Sequence, residues 1–131
     1  MNSNIEIAKK MLKAGESKDM TTLRSFLASN YTLKDPMLSL NGADEAIKFM
    51  EDCPTVCTFE NTEFVADGDK VVMTGDMVAT APVKFKLRVC DVMKFQNGKI
   101  TSEEMFYDPS QIPEEAKSAE QKGASGKKKA A

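Results

Sequence analysis

The sequence predicts an α+β domain, with helices in its first third and antiparallel strands after them. Up to Asp52 the apolar residues recur at helical spacing, and from Thr55 onward they alternate with polar ones at the strand period of two. Helices first and closely spaced strands afterwards is the pattern of helices laid on one face of a curved antiparallel meander.

Ile5, Ala8, Met11 and Leu12 form the first apolar stripe, with Glu6, Lys9, Lys10 and Lys13 opposite it and Gly15 as a stop. Asp19 is placed to cap a second helix whose stripe is Met20, Leu23, Phe26 and Leu27. A short extended piece at 31–33 runs into Asp35-Pro36, where proline disfavours helix in the residue before it. Asn41-Gly42 is a turn. A third amphipathic helix over 43–52 carries Ala46, Ile47 and Met50 and ends before Pro54. Strands rich in Val, Thr, Phe and Met follow at 55–66, 71–81, 83–95 and 100–107. Asp67-Gly68-Asp69, Ala81-Pro82 and Asn97-Gly98 are the turns between them.

A chain of 131 residues suits one domain. The folding unit is expected over 1–110, long enough for a real core without disulfides or metal. From Gln111 the composition turns to Glu, Ala, Lys and Gln, with no apolar stripe, so 111–131 reads as a disordered Lys-rich tail. Five lysines against three glutamates put that tail at +2 and leave the body at −4, given a net charge of −2. An acidic body argues against a nucleic-acid surface. No run is long enough to span a bilayer and none at the start reads as a signal segment, so a cytoplasmic protein without membrane contact is expected.

Cys53, Cys57 and Cys90 form no CxxC pair and are odd in number, which suits reduced thiols. Histidine is absent altogether. That excludes Ser-His and Cys-His nucleophiles, imidazole bases and His-ligated metals. Acid–base chemistry falls to carboxylates, Tyr, Lys or Cys, and neither a metal nor another cofactor is expected.

Along 83–95 the strand period puts Val83, Phe85, Leu87, Val89, Asp91, Met93 and Phe95 on one face. Lys84, Lys86, Arg88, Cys90, Val92 and Lys94 take the other. Asp91 is the polar exception on the apolar face, where an ionised carboxylate must pair, hydrate or stay protonated. It is either paired with a buried amide, hydroxyl or Lys tip, or a neutral acid on a pocket wall that donates to a ligand oxygen. Asp35, before Pro36, reads first as a turn residue.

These two aspartates carry a resemblance. Leu33-Lys34-Asp35-Pro36, followed by Asn41-Gly42 and a helix with Ile47 and Phe49, resembles the corresponding part of bacterial ketosteroid isomerase. Cys90-Asp91-Val92-Met93-Lys94-Phe95, then Asn97-Gly98-Lys99-Ile100, resembles it more closely. Order and spacing agree over 11–108, so the chain is similar to the NTF2-like (nuclear transport factor 2-like) superfamily, which includes the SnoaL-like polyketide cyclases. The resemblance implies a cone: three N-terminal helices packed on a curved antiparallel sheet, enclosing an apolar pocket, in a protein that pairs into a homodimer.

The resemblance also implies roles. Asp35 becomes a general base that moves a proton between two carbons of a β,γ-unsaturated ketone, and Asp91 a protonated acid in the oxyanion hole. The implied ligand wall is Met11, Phe49 and Met50 on the helices, with Val89, Met93, Met105 and Tyr107 on the strands. The tyrosine that completes the family's oxyanion hole falls here on Met11, and loss of such a donor typically costs ~10²–10³ in rate. Other pocket tyrosines of the family fall on Leu27 and Met50. Of the two tyrosines left, Tyr107 shares a strand face with Glu103 and Met105. It is either a substitute hydroxyl or a core tyrosine with its OH at the rim.

Three functions stay open. The first is an isomerase-like enzyme acting on a flat enolisable ketone through Asp35 and Asp91. The second is a module that binds a small apolar ligand with a carbonyl or phenol group, without turnover. The third is a dimeric scaffold. The aspartate pair favours the first, and the missing tyrosine favours the other two. Nine methionines suit an adaptable apolar wall, although methionine is also ordinary core filler.

Overall fold

The computed structural model describes residues 3–117. Helix α1 (Ser3–Glu16) buries Ala8, Met11 and Ala14 along one face. Asp19 caps the short α2 (Met20–Ser25) by accepting from the Thr22 amide at 3.2 Å. Helix α3 (Ala43–Asp52) follows Gly42, whose φ of 93° suits glycine and few other residues. The Glu45 carboxylate reaches back to the Asn41 amide at 2.7 Å, and Ala43, Ala46, Ile47 and Phe49 turn inward.

The strands are β1 (Leu27–Lys34), β2 (Ser39–Asn41), β3 (Val56–Asp67), β4 (Lys70–Ala81), β5 (Phe85–Gln96) and β6 (Lys99–Phe106). They form one open sheet in the order β2-β1-β6-β5-β4-β3. From β3 to β6 it is the expected meander. Asn97 and Gly98 both sit at positive φ, 53° and 76°, as a two-residue hairpin turn requires. In β5, Leu87, Val89, Asp91, Met93 and Phe95 are buried while Lys86, Arg88 and Lys94 are exposed, as the alternation predicts.

The sheet differs from the expected one in being mixed. β1 runs parallel to β6, with Leu33 opposite Glu103 and Lys34 opposite Glu104. For the same reason Leu27 opens β1 instead of closing the second helix. The Phe26 carbonyl accepts from the Ile100 amide at 2.8 Å, and Leu27 pairs with Ile100. Pairing with so distant a segment overrides local helical spacing.

The fold also passes the expected boundary at residue 110. A 3-10 turn (Pro109–Gln111), capped by Asp108, brings Ile112 and Ala116 into the core, where they are 6% and 2% exposed. Two apolar residues four apart are too sparse a stripe to be read from the sequence. The rest of the expected tail, 118–131, lies outside the described residues. Among the described residues no helix is long and apolar enough to cross a membrane.

The register of β3 against β4 slips between Glu60 and Glu63, with Asn61 at a φ of 53°. Such a bulge bends the strand and sharpens its twist, helping the sheet to curve. Asp76 in β4 pins it, accepting from Asn61 Nδ2 at 2.9 Å and from Arg88 Nη1 at 3.1 Å. The Asn61 bond first and the Arg88 bond next hold the Asp76 pKa below the ordinary aspartate value. Beside it a Cβ on Gly75 would meet Thr62 Cγ2 at 3.0 Å and the Glu60 carbonyl oxygen at 3.1 Å. Backbone cannot yield there as a side-chain tip can. Gly75→Ala is expected to destabilise the domain by ~1–3 kcal/mol in chemical denaturation. Unchanged stability would mean that the bulge is free to shift.

Candidate functional site

The helices and the inward face of the sheet enclose a cavity of about 380 Å³. Asp35 and Met37 reach it from the loop after β1, and Phe49, Met50 and Cys53 from the end of α3. Met77 and Leu87 line it from β4 and β5, and Met105 and Tyr107 from the end of β6. The wall is largely apolar, with Asp35 as its carboxyl group.

Asp35 is half-buried and held in a tight turn. Its Oδ1 accepts from the Met37 amide at 2.7 Å and the Leu38 amide at 3.0 Å, and its own amide donates to the Leu38 carbonyl at 3.0 Å. The Tyr107 hydroxyl also donates to this carboxylate. Burial nonetheless outweighs these three donors and raises the Asp35 pKa above the ordinary aspartate value. The turn reading and the pocket reading of Asp35 therefore describe one arrangement: the Asp-Pro turn sets the carboxyl on the cavity wall.

Asp91 lies deeper. It is 0% exposed, and neither carboxyl oxygen has a hydrogen-bond partner. In the sheet it stands opposite Met73 on one side and Met105 on the other. One ladder step along β6, Glu103 stands opposite Met93, is itself buried, and accepts from the Tyr31 hydroxyl at 2.5 Å. Burial first, and the charge of Glu103 next, push the Asp91 pKa well above the ordinary value. Burial and the Glu103 charge likewise push the Tyr31 hydroxyl upward.

Of the nine residues expected at the site, Asp35, Phe49, Met50, Met105 and Tyr107 line the cavity. Asp91, Met11, Val89 and Met93 are buried but are not part of its wall. The Tyr31–Glu103 contact beside Asp91 escapes the sequence reading. Its signal was half present, because Glu103 shares the inward face of β6 with Met105 and Tyr107. Which residue on β5 it would adjoin depends on register. Among the described residues, no group of three or more His, Cys, Asp or Glu is placed to hold a metal ion.

The burial of Asp91 has a measurable consequence. Its folded-state pKa lies above the unfolded value of ~3.9, so the native state binds that proton more tightly and loses stability as pH rises from there toward the folded pKa. Asp91→Asn removes this loss. The variant is expected to match or exceed wild-type stability at pH 7, by up to ~1–3 kcal/mol, with the difference shrinking toward pH 4. Urea denaturation across that range measures it. A large destabilisation at pH 7 would mean that Asp91 is ionised and paired.

The chain matches the model of the SnoaL-like domain over residues 8–103. No curated protein is similar enough in sequence to count as a match. Solved structures share the fold at low identity. A proposed SnoaL-like polyketide cyclase from Shewanella denitrificans OS-217 superposes with a TM-score of 0.79 at 16% identity, over 90% of this chain and 99% of that one. A hypothetical protein with a ketosteroid isomerase-like fold from Catenulispora acidiphila DSM 44928, solved in complex with trimethylamine, gives 0.74 at 18%, over 86% and 92%. An NTF2-like protein of unknown function from Burkholderia pseudomallei K96243 gives 0.74 at 20%, over 84% and 94%. At these identities the structural likeness speaks for fold alone. With the SnoaL-like match spanning most of its length and the same fold in these structures, the protein belongs to the SnoaL-like domain family of the NTF2-like superfamily.

Proposed function

We propose that this protein binds a small apolar carbonyl compound in the cavity and moves a proton on it, with Asp35 as the acid–base group. The observation that carries the reading is Asp35 itself, a half-buried carboxyl on an apolar wall, fixed by two amides and a tyrosine and raised in pKa by burial. A base for carbon acids must be ionised near neutrality yet more basic than an ordinary aspartate, and a moderately raised carboxylate meets both needs. Taking a proton from the carbon beside a carbonyl leaves negative charge on the carbonyl oxygen, which then needs a donor. Tyr107 offers a hydroxyl on the wall. Asp91, kept neutral by its dry surroundings, is an acid that a ligand oxygen reaches once Met105 moves aside.

One observation favours a second reading, binding without turnover: Asp91 is covered, and Met11 stands where the resembling isomerase has its tyrosine. The trimethylamine held by the Catenulispora protein supports small-molecule binding by this fold in either case.

Isomerisation of a β,γ-unsaturated ketone, followed by the absorbance of the conjugated product, separates the readings. Activity is expected to rise with pH through a value above that of ordinary aspartate, because the base acts ionised. Asp35→Asn is expected to lower the rate ~10²-fold or more in a protein that still folds. No activity in wild type, or none lost in Asp35→Asn, leaves binding alone.

The place of Met105 gives a second test. Met105→Ala is expected to tighten binding of 2-naphthol ~5–10-fold by opening a path to the Asp91 proton. That gain should vanish in Met105→Ala/Asp91→Asn. Equal tightening in both variants would mean that alanine only enlarges the cavity.

A further inference from the structure

We infer that the cavity selects its ligand by polarisability, taking a flat aromatic or conjugated ring system in preference to a saturated one of the same size. This rests on the reading that the cavity binds an apolar molecule, and it names the class.

Five of the nine methionines in the sequence, Met20, Met37, Met50, Met77 and Met105, line this one cavity. Cys53 and Cys57 add two thiols, whereas Leu38, Leu87 and Ile112 are the aliphatic residues of the wall among those described. The five thioethers come from α2, the β1–β2 loop, α3, β4 and β6, so no local repeat gathers them. The methionines also divide by burial. Met11, Met73 and Met93 are buried at 5% exposure or less and fill the core, while all five cavity methionines keep part of their surface open. Core filling thus accounts for the first set and not for the second.

A wall that had only to exclude water would be built as well from leucine or isoleucine, which lose less side-chain freedom on ordering. Sulfur adds a polarisable atom that makes favourable contacts with aromatic rings, on an unbranched side chain able to follow a ligand's outline. Phe49, Phe85 and Tyr107 on the same wall offer ring faces and edges to a flat guest.

Calorimetric titration of the full chain with 2-acetylnaphthalene and with its decahydro counterpart, which share the carbonyl, isolates the property. The aromatic ketone is expected to bind at least ~10-fold more tightly, the product of a few sulfur–ring contacts. In Met50→Leu/Met77→Leu, a swap that conserves volume, that ratio is expected to fall to ~3-fold or less while the saturated ketone binds as before. A readout without any variant uses ¹³C-methyl methionine. The aromatic ketone should shift the ε-methyl signals of the five cavity methionines by its ring current and leave those of Met73 and Met93 in place. Equal affinities in wild type, a ratio unchanged by the leucine pair, or unshifted cavity methyls would overturn the inference while leaving cavity binding intact. Binding of neither ketone at millimolar concentration would overturn the cavity reading, and the inference with it.

Discussion

The parallel ladder between β1 and β6 holds both polar clusters together. It sets Leu33 beside Glu103 and Lys34 beside Glu104. Two residues back along β1, the Tyr31 hydroxyl reaches Glu103; one residue past the end of β1, Asp35 receives the Tyr107 hydroxyl from the end of β6. Parallel strands cannot be joined by a tight turn and need a long crossover. Here the crossover is most of the domain, comprising β2, α3 and the three strands that precede β6. The meander must therefore be complete before either hydroxyl–carboxyl contact exists, and the site is a late product of the whole fold.

The two aspartates show how one residue type serves two ends through its surroundings. Asp35 has three donors and partial access to solvent, so burial raises its proton affinity without preventing ionisation. Asp91 has no donor and no access, and its favourable state is the neutral acid. Glu103, held by Tyr31, adds its charge to the same effect. A cavity with a basic carboxylate on the wall and a neutral acid behind it has separated the two halves of a proton transfer by environment alone.

The structure also divides stiffness unevenly. The bulge of β3 is pinned by Asp76 and closed over Gly75, and the row through Met73, Met93 and Ile100 is wholly buried. The cavity wall is the reverse, built of long unbranched side chains that retain exposure. Close packing on one side of the sheet's inner face gives the curvature; loose packing on the other leaves room for a guest.

The sequence by itself determined what local periodicity encodes. Helix 43–52, the Asn97-Gly98 turn and the inward face of β5 follow from spacing within a dozen residues, because side-chain direction in a helix or strand repeats at a known period. Asp91's burial followed from that repeat, and the Asp-Pro turn was legible as a turn. Only the tertiary structure decided which residues on different strands became neighbours. The β1–β6 pairing, the end of the second helix at Ser25, the Tyr31–Glu103 contact and the docking of Ile112 all depend on segments far apart in the chain. It likewise decided that Met105 lines the cavity while Asp91, its partner across the ladder, does not. Period two assigns a residue to a face. How far along that face the cavity extends is set by register and curvature, and these arise from the packing of the whole domain.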